Sequence, residues 1–145
     1  MRKESPQPPP PLRVIVFSRL RVLVRNHTRE AILADAADVA DTSAKRRTGL
    51  LKHESLEPGD GLWIVPCESV HTFFMKFPID LIYLDKQRKV RKVRHAVGPW
   101  RLSACLPAHS VLELPAGTAK RTGTAVGDVG LKGDERRASI IRIPP

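Results

Sequence analysis

The sequence is poor in cysteine and in aromatic residues, and it contains no long hydrophobic run. Two cysteines among 145 residues cannot build a disulfide framework, and we expect Cys67 and Cys105 to be free thiols. No stretch reaches the roughly 18 apolar residues that indicate a membrane-spanning helix. Met1, Arg2 and Lys3 lead into prolines and not into an apolar segment, so we see no signal peptide and predict a cytoplasmic location.

Proline is abundant instead, and seven of the 13 prolines lie close to the chain ends. Residues 6–11 read PQPPPP, a composition typical of a stiff, solvated polyproline II segment. We therefore predict a Pro-rich disordered lead at 1–11 and a single β-rich domain at 12–145. A chain of this length can bury roughly two thirds of the surface that its unfolded form exposes, which is enough for one core.

Short runs of alternating or β-branched residues, bounded by turn residues, dominate the remainder. They predict strands at 19–26, 30–34, 61–66, 71–75, 80–85, 90–97, 110–115 and 138–143. Two short helices are predicted at 41–51 and 116–123, because in each of them basic residues precede a glycine that ends the helix. The pattern predicts a mainly β fold: a single compact β-barrel or sandwich-like domain with two short helices.

Residues 67–80, CESVHTFFMKFPID, concentrate the side chains that could carry chemistry. If 71–77 is extended, His71, Met75 and Phe77 share one face of a strand. Two interpretations of His71 and Asp80 remain open. Either the imidazole and the carboxylate are satisfied by backbone groups beside the core, or they stand at the mouth of a pocket.

Cys67 and His71 also suggest a thiol–imidazole pair for a small hydrolase or transferase. The sequence shows no nucleophile elbow or oxyanion site to support that pair, so we assign no catalytic residue and favour a non-enzymatic protein. The spacing C-x-x-x-H supplies two metal ligands where a structural zinc site needs four. We therefore predict no metal and no cofactor.

Basic residues outnumber acidic ones by 25 to 15, which gives a formal net charge of +10. They are densest at 86–94, KQRKVRKVR, where a hairpin is predicted. This segment could bind nucleic acid or another anionic surface, or its charges could protect an exposed sheet edge. The candidate anion-binding residues are Lys86, Arg88, Lys89, Arg91, Lys92 and Arg94.

An ordered series of motifs resembles a known family. The series is TSAKRRTGLL, GLWIVPCESVHTFFMKFPIDLIYLD, VRKV, GPWR, VLELPAG and GD, and it is similar to the bacterial and archaeal family called domain of unknown function 192, over about residues 20–131. The resemblance implies a compact, mainly β domain with helices near 43–48 and 117–122, and it brings no established activity, cofactor or substrate. Phe74 stands where similar sequences often have Gly or Trp, so its ring is expected to fill any pocket beside Met75.

The function that we predict is a non-enzymatic binding or accessory module. Its groove would lie around His71 and Asp80, and its predicted lining is His71, Met75, Asp80, Trp100 and Arg101. A protein, a peptide or a glycan is the predicted kind of partner, with an anion near Arg101 as a further candidate. The alternatives are a binder of nucleic acid or anionic surfaces through 86–94, and a hydrolase or transferase that uses Cys67 or His71.

Overall fold

The computed structural model describes residues 20–51, 53–129 and 132–137. It shows a mainly β protein with two short helices. In chain order the elements are β1 (Leu20–Asn26), β2 (Ala31–Ala40), α1 (Ser43–Thr48), β3 (Asp60–Ile64), β4 (Ser69–His71), β5 (Ile79–Leu84), β6 (Val90–Val97), β7 (Leu102–Ala104), β8 (Ser110–Pro115), α2 (Thr118–Thr122) and β9 (Lys132–Arg137).

Seven strands form one sheet in the order β6-β5-β8-β3-β2-β1-β9, and β4 pairs with β7 in a separate two-stranded ribbon. The neighbouring pairs of the large sheet are antiparallel except β2 and β3, which are parallel and are joined through α1. The sheet is not closed into a barrel, so of the two predicted architectures the sandwich-like one fits. Strand β6 lies at one edge of the described sheet.

The central strands are buried on both faces of the sheet. Every residue of β5 is buried, and successive residues of a strand point to opposite faces. Ile82 and Leu84 belong to one apolar cluster, whereas Leu81 and Tyr83 belong to a second one. The sheet therefore separates two cores, which we call the first face and the second face.

Different parts of the chain cover these two faces. On the first face Val22 and Val24 of β1 and Ala119 of α2 join the cluster. On the second face the covering residues come from the segment after α1, from the β4–β7 ribbon and from the loops beside it, and they include Leu50, Leu56, Val70, Met75 and Cys105. The second face is therefore covered by short and irregular segments, between which a cavity can form.

Most predicted segments are confirmed within two residues or so at their ends. The strands predicted at 90–97 and 110–115 have the observed bounds, while the strand predicted at 30–34 extends to Ala40. The strand predicted at 138–143 and the lead at 1–11 lie outside the described residues, so the domain boundary stays a prediction. Strands β7 and β9 were not predicted.

The strand predicted at 71–75 is wrong. Strand β4 ends at His71, and the chain then turns: the backbone N–H of Met75 donates to the carbonyl oxygen of Thr72 at 3.2 Å. Phe74 has a φ of 63°, in the left-handed region and outside the β region of extended strands. His71, Met75 and Phe77 therefore do not share a strand face.

No helix in the described ranges is long and apolar enough to cross a membrane.

Candidate functional site

A cavity of about 560 Å³ lies over the second face of the sheet. Its walls come from α1 and the residues after it, from the segment that joins β3 to β4, and from Met75. Leu50, Leu51 and Ile64 make part of the lining apolar, and Arg46, Cys67, Glu68, His71 and Glu113 add polar groups. This volume and this mixture of groups are typical of sites for small molecules.

Glu113 is the buried carboxyl group of the cavity. It lies in β8, paired with Leu62 of β3 on one side and with Leu81 of β5 on the other. The residue is only 5% exposed, and its Oε2 atom has no hydrogen-bond partner within the described part of the chain. A buried polar atom without a partner is costly, and native proteins keep few of them.

The same burial changes the acidity of Glu113. Loss of hydration disfavours the charged form and raises the pKa of this carboxyl group to about 7, from an ordinary value of 4.5. Both protonation states are therefore well populated near neutral pH. The neutral form can donate one hydrogen bond and the charged form only accepts them, so Glu113 can pair with ligand donors or acceptors.

Arg46 supplies a positive charge in the wall of the cavity. Helix α1 begins at a capping Thr42, whose Oγ1 accepts the Lys45 N–H at 3.2 Å, and this start places Arg46 in the middle of the helix. Its Nη1 donates to the carbonyl oxygens of Asp41 at 3.0 Å and Val65 at 3.3 Å. The side chain thus holds α1 against the end of β3 and keeps its charge at the cavity.

Cys67 lines the cavity as a protonated thiol. Its Sγ donates to the carbonyl oxygen of Ser69 at 3.1 Å. Burial raises the pKa of this thiol above its ordinary value, and the charge of Glu113 acts in the same direction. A nucleophilic cysteine needs the opposite shift, since the thiolate is the reactive form. Cys67 and Cys105 are both free.

The structure brings together only part of the predicted groove. His71 and Met75 line the cavity, but Asp80 is completely buried elsewhere. Its Oδ1 accepts the backbone N–H of Ala96 at 2.8 Å, and its Oδ2 accepts that of Ala119 at 2.9 Å. Asp80 alternates with Leu81 on β5 and so points to the first face, where it fixes the start of α2. His71 and Asp80 therefore do not line one groove.

Trp100 and Arg101 lie outside the cavity lining, next to the end of β4. Trp100 stacks on Phe73 with ring centroids 5.5 Å apart, and Phe73 in turn lies 5.1 Å from the ring of His71. Phe74 packs edge-to-face with Trp100, and their ring centroids are 4.7 Å apart. We call these four side chains the aromatic row. Phe74 is 69% exposed and does not line the cavity, so the expectation that its ring fills the pocket is corrected.

The basic segment at 86–94 uses several of its charges within the fold. The Arg88 guanidinium lies 5.1 Å from the centroid of the Trp63 ring, and Arg91 pairs with Asp85 at 3.7 Å. Lys92 donates to the carbonyl oxygen of Ala104 at 2.7 Å. The segment includes most of the edge strand β6, the position in which charges protect a sheet against pairing with other chains. Anion binding by this segment stays a prediction.

Comparison with known proteins identifies the family. The model of domain of unknown function 192 (DUF192), described as Uncharacterized ACR, matches residues 23–129. The chain belongs to the DUF192 family. A UPF0127 protein of Thermococcus sibiricus is 30% identical over 122 residues, which are 79% of this chain and 78% of that protein. A UPF0127 protein of Pyrococcus abyssi is 31% identical over 113 residues, which are 73% of this chain and 93% of that protein.

Two solved structures share the fold of this DUF192 chain. A protein of unknown function from Novosphingobium aromaticivorans has a TM-score of 0.63 and 24% identity, and the match covers 75% of this chain and 81% of that one. A structure from Sinorhizobium meliloti has a TM-score of 0.69 and 23% identity, and the match covers 83% of this chain and 97% of that one. The family model and the curated relatives confirm the family that the sequence motifs indicated, and the structure confirms the mainly β fold.

Sequence reasoning missed Glu113 and Arg46 as site residues of this DUF192 chain. A signal for Glu113 was present, because a charged residue in the middle of the apolar strand SVLELP must be buried or displaced from the strand. Arg46 gave no such signal, since RR near a helix end is ordinary surface composition. Within the described residues, no group of three His, Cys, Asp or Glu side chains could hold a metal ion.

Proposed function

We propose that this chain is a binding module for a small polar ligand, which occupies the cavity over the second face and hydrogen-bonds to Glu113. The observation that carries the proposal is the buried Oε2 atom of Glu113, which has no partner in the described part of the chain and belongs to a residue that lines the cavity. A ligand group that pairs with this carboxyl group would recover the free energy that its burial costs.

The other cavity residues define what such a ligand needs. Leu50, Leu51 and Ile64 can contact an apolar part of it. Arg46 and His71 can meet an acceptor or a negative group near the opening. The ligand therefore combines a small apolar body with a polar group that reaches Glu113, which is the usual composition of ligands for pockets of this volume.

Binding is favoured over catalysis by the protonation state of Cys67, the thiol that lines the cavity. The raised pKa of Cys67 keeps its thiol protonated at neutral pH, and a thiolate is required for attack. A covalent reaction would also need a second group that activates the thiol. The binding proposal needs only the cavity and the carboxyl group.

The test is thermal unfolding of the full chain with and without small probes: monosaccharides, polyols, amino acids and nucleosides, each at high millimolar concentration. A probe at one hundred times its dissociation constant stabilises the folded state by about 2.7 kcal/mol, which corresponds to roughly 5–10 °C in a domain of this size. We expect at least one probe class to raise the unfolding temperature of the wild type. The same probe should have no effect on Glu113→Met.

Glu113→Met keeps the volume of the side chain and removes the unpaired carboxyl group, so the variant should unfold at a higher temperature than the wild type when no probe is present. Glu68→Gln is the matched control, because Glu68 lines the same cavity but is exposed, and it should keep the probe effect. The proposal fails if no probe stabilises the wild type, or if the stabilisation survives in Glu113→Met.

A further inference from the structure

The aromatic row is an unusual surface because two large rings stand in solvent and touch each other. Trp100 is 57% exposed and Phe74 is 69% exposed, and their ring centroids are 4.7 Å apart in an edge-to-face arrangement. Single exposed apolar residues are common on protein surfaces, whereas contiguous exposed aromatic groups mark binding sites. The exposed aromatic row is therefore a candidate binding surface.

The backbone beneath these two rings is strained. Phe74 has a φ of 63° and Trp100 a φ of 62°, a region in which bulky residues lose free energy relative to glycine. Strained backbone of this kind persists only where the surroundings enforce it, and it clusters at functional sites. Here two strained residues, 26 positions apart in the sequence, present their rings to each other.

Thr72 is the residue that enforces this arrangement. It is buried, and its Oγ1 donates to the carbonyl oxygen of Gly98 at 2.7 Å and accepts the N–H of Arg101 at 2.9 Å. The carbonyl oxygen of Thr72 accepts the N–H of Trp100 at 3.1 Å and that of Met75 at 3.2 Å. The two loops that carry the rings are thus tied to one buried side chain and its own backbone.

The row meets the cavity at His71. His71 lines the cavity and packs at 5.1 Å against Phe73, which stacks on Trp100. The path leads from a buried polar group, past an imidazole, to stacked rings on the surface. A ligand that is longer than the cavity could leave it along this path without losing contact with the protein.

We infer that the aromatic row stacks the sugar rings of a carbohydrate chain whose end occupies the cavity; this inference rests on the proposed function. A sugar ring has apolar C–H faces that pack on aromatic faces, and its edge carries hydroxyl groups that donate and accept hydrogen bonds. The exposed rings match the faces, and Glu113, Arg46 and His71 match the hydroxyl groups. A carbohydrate thereby uses both the row and the unpaired carboxyl oxygen.

Other ring-bearing ligands fit these surroundings less well. Single-stranded nucleic acid also stacks on aromatic rings, but it needs free basic groups along its phosphates. Three of the six candidate basic residues at 86–94, namely Arg88, Arg91 and Lys92, already contact groups of the protein itself. A polyproline peptide would cover the rings, but its residues carry no backbone N–H group, so it would leave Glu113 without a hydrogen-bond donor.

The experiment uses titration calorimetry to measure the affinity of the full chain for soluble oligosaccharides of one to five units. Three series are compared: β-1,4-linked glucose, α-1,4-linked glucose and β-1,4-linked N-acetylglucosamine. In the wild type we expect at least a tenfold gain in affinity between one unit and four units of the preferred series. Trp100→Gly and Phe74→Gly should each remove most of this gain and leave the affinity for one unit unchanged.

Glycine is the informative replacement because it accepts a positive φ without strain. Both variants should therefore fold, and their free energy of unfolding should equal that of the wild type. This separates loss of binding from loss of structure. Leu106→Gly is the matched control, since Leu106 is 81% exposed and lies outside the row, and it should bind all lengths normally.

The outcomes separate this inference from the proposed function. If one sugar unit binds but longer chains bind no tighter, the row is not a binding surface and the cavity proposal stands. If no sugar binds while an amino acid or a nucleoside stabilises the protein through Glu113, the carbohydrate assignment is overturned and the cavity proposal stands. If a ten-nucleotide oligothymidine binds through Trp100 and no sugar does, the row belongs to a nucleic-acid site and the inference is overturned.

Discussion

Two buried carboxyl groups lie on neighbouring strands of the sheet and have opposite surroundings. Both oxygens of Asp80 accept backbone N–H groups, from Ala96 and Ala119. Glu113 has a buried oxygen without a partner in the described residues. A carboxylate with two backbone donors is an anchor for the loops that it joins, and replacement of one bond by a ligand would disrupt the fold. Of the two groups, Glu113 is therefore the one that can bond a ligand without giving up a bond within the described part of the chain.

The raised pKa of Glu113 predicts how stability depends on pH. The folded protein holds a proton on Glu113 up to about pH 7, whereas in the unfolded chain this proton is lost near the ordinary value of 4.5. Between these two values the folded state binds more protons, so its free energy of unfolding falls as pH rises. The total loss that a shift of this size implies is about 3 kcal/mol, complete by about pH 8.

Urea unfolding at several pH values between about pH 5 and pH 8 tests this prediction. Arg46, Cys67, Glu68 and His71 line the same cavity, so the difference between the wild type and Glu113→Gln isolates the contribution of Glu113. That difference should grow in favour of the variant as pH rises. Glu68→Gln should follow the wild type. Equal pH dependence in the wild type and Glu113→Gln would contradict a buried carboxyl group of raised pKa.

At the scale of elements, the ribbon of β4 and β7 depends on interactions that are not those of regular strands. It has three residues in each strand, and a two-stranded pair alone is marginal in water. Thr72, at the end of β4, replaces further strand pairing with side-chain bonds to the loop at 98–101. The conformation of the aromatic row therefore depends on the backbone bonds of Thr72 and on its one hydroxyl group.

Thr72→Val should destabilise the protein by about 1–2 kcal/mol, because it leaves the Arg101 N–H and the Gly98 carbonyl oxygen without their partner at a half-buried position. The tryptophan emission maximum, to which Trp63 and Trp100 both contribute, should shift as well, since the loop of Trp100 loses its anchor. Thr72→Ser keeps the hydroxyl group and should restore both properties. Urea unfolding followed by tryptophan fluorescence measures the two effects together.

Thr48→Val is the control for the loss of a threonine hydroxyl group. Thr48 is exposed, and its Oγ1 donates to the carbonyl oxygen of Ala44 within α1 at 3.1 Å. The control should change stability by less than about 0.5 kcal/mol. An equal effect of the two substitutions, or a normal tryptophan emission in Thr72→Val, would show that Thr72 does not hold the loops.

The elements that the sequence predicted are those with a repeating pattern. Strands β6 and β8 have alternating or continuous apolar runs and ends marked by turn residues, and their bounds were predicted correctly. Residues 72–75 also look like a strand, but the bonds of Thr72 with residues distant in sequence override that local preference. The short strand β7 has too few residues to show a period.

At the scale of the whole molecule, the site could not be predicted because it joins parts of the chain that are far apart in sequence. Arg46, His71 and Glu113 come from a helix, a ribbon and the central sheet, and only the folded arrangement brings them to one cavity. The predicted groove grouped His71 with Asp80 because core packing explains the polarity of these two residues least. Side chains of β5 point alternately to the two faces of the sheet, and Asp80 points to the first face, opposite the cavity.

The arrangement of the two cores predicts an order of local stabilities across the molecule. Strands β5 and β8 lie inside the sheet and are almost completely buried on both faces. The ribbon of β4 and β7 and the segment after α1 cover the second face with short pieces that carry few backbone pairs. Buried central strands open only with global unfolding, whereas segments of this second kind open locally.

Native-state hydrogen exchange, resolved by peptide in the full chain, should therefore show β5 and β8 as the slowest segments. The ribbon and residues 43–57 should exchange at least tenfold faster, a difference of about 1.4 kcal/mol or more in opening free energy. A probe that binds in the cavity should slow exchange in 43–51 and in 67–71, because these segments form its walls, and should leave β1 unchanged. Uniform exchange across the described chain, or protection by the probe at β1 instead of at the cavity walls, would mean that the second face is not covered by a separately opening layer.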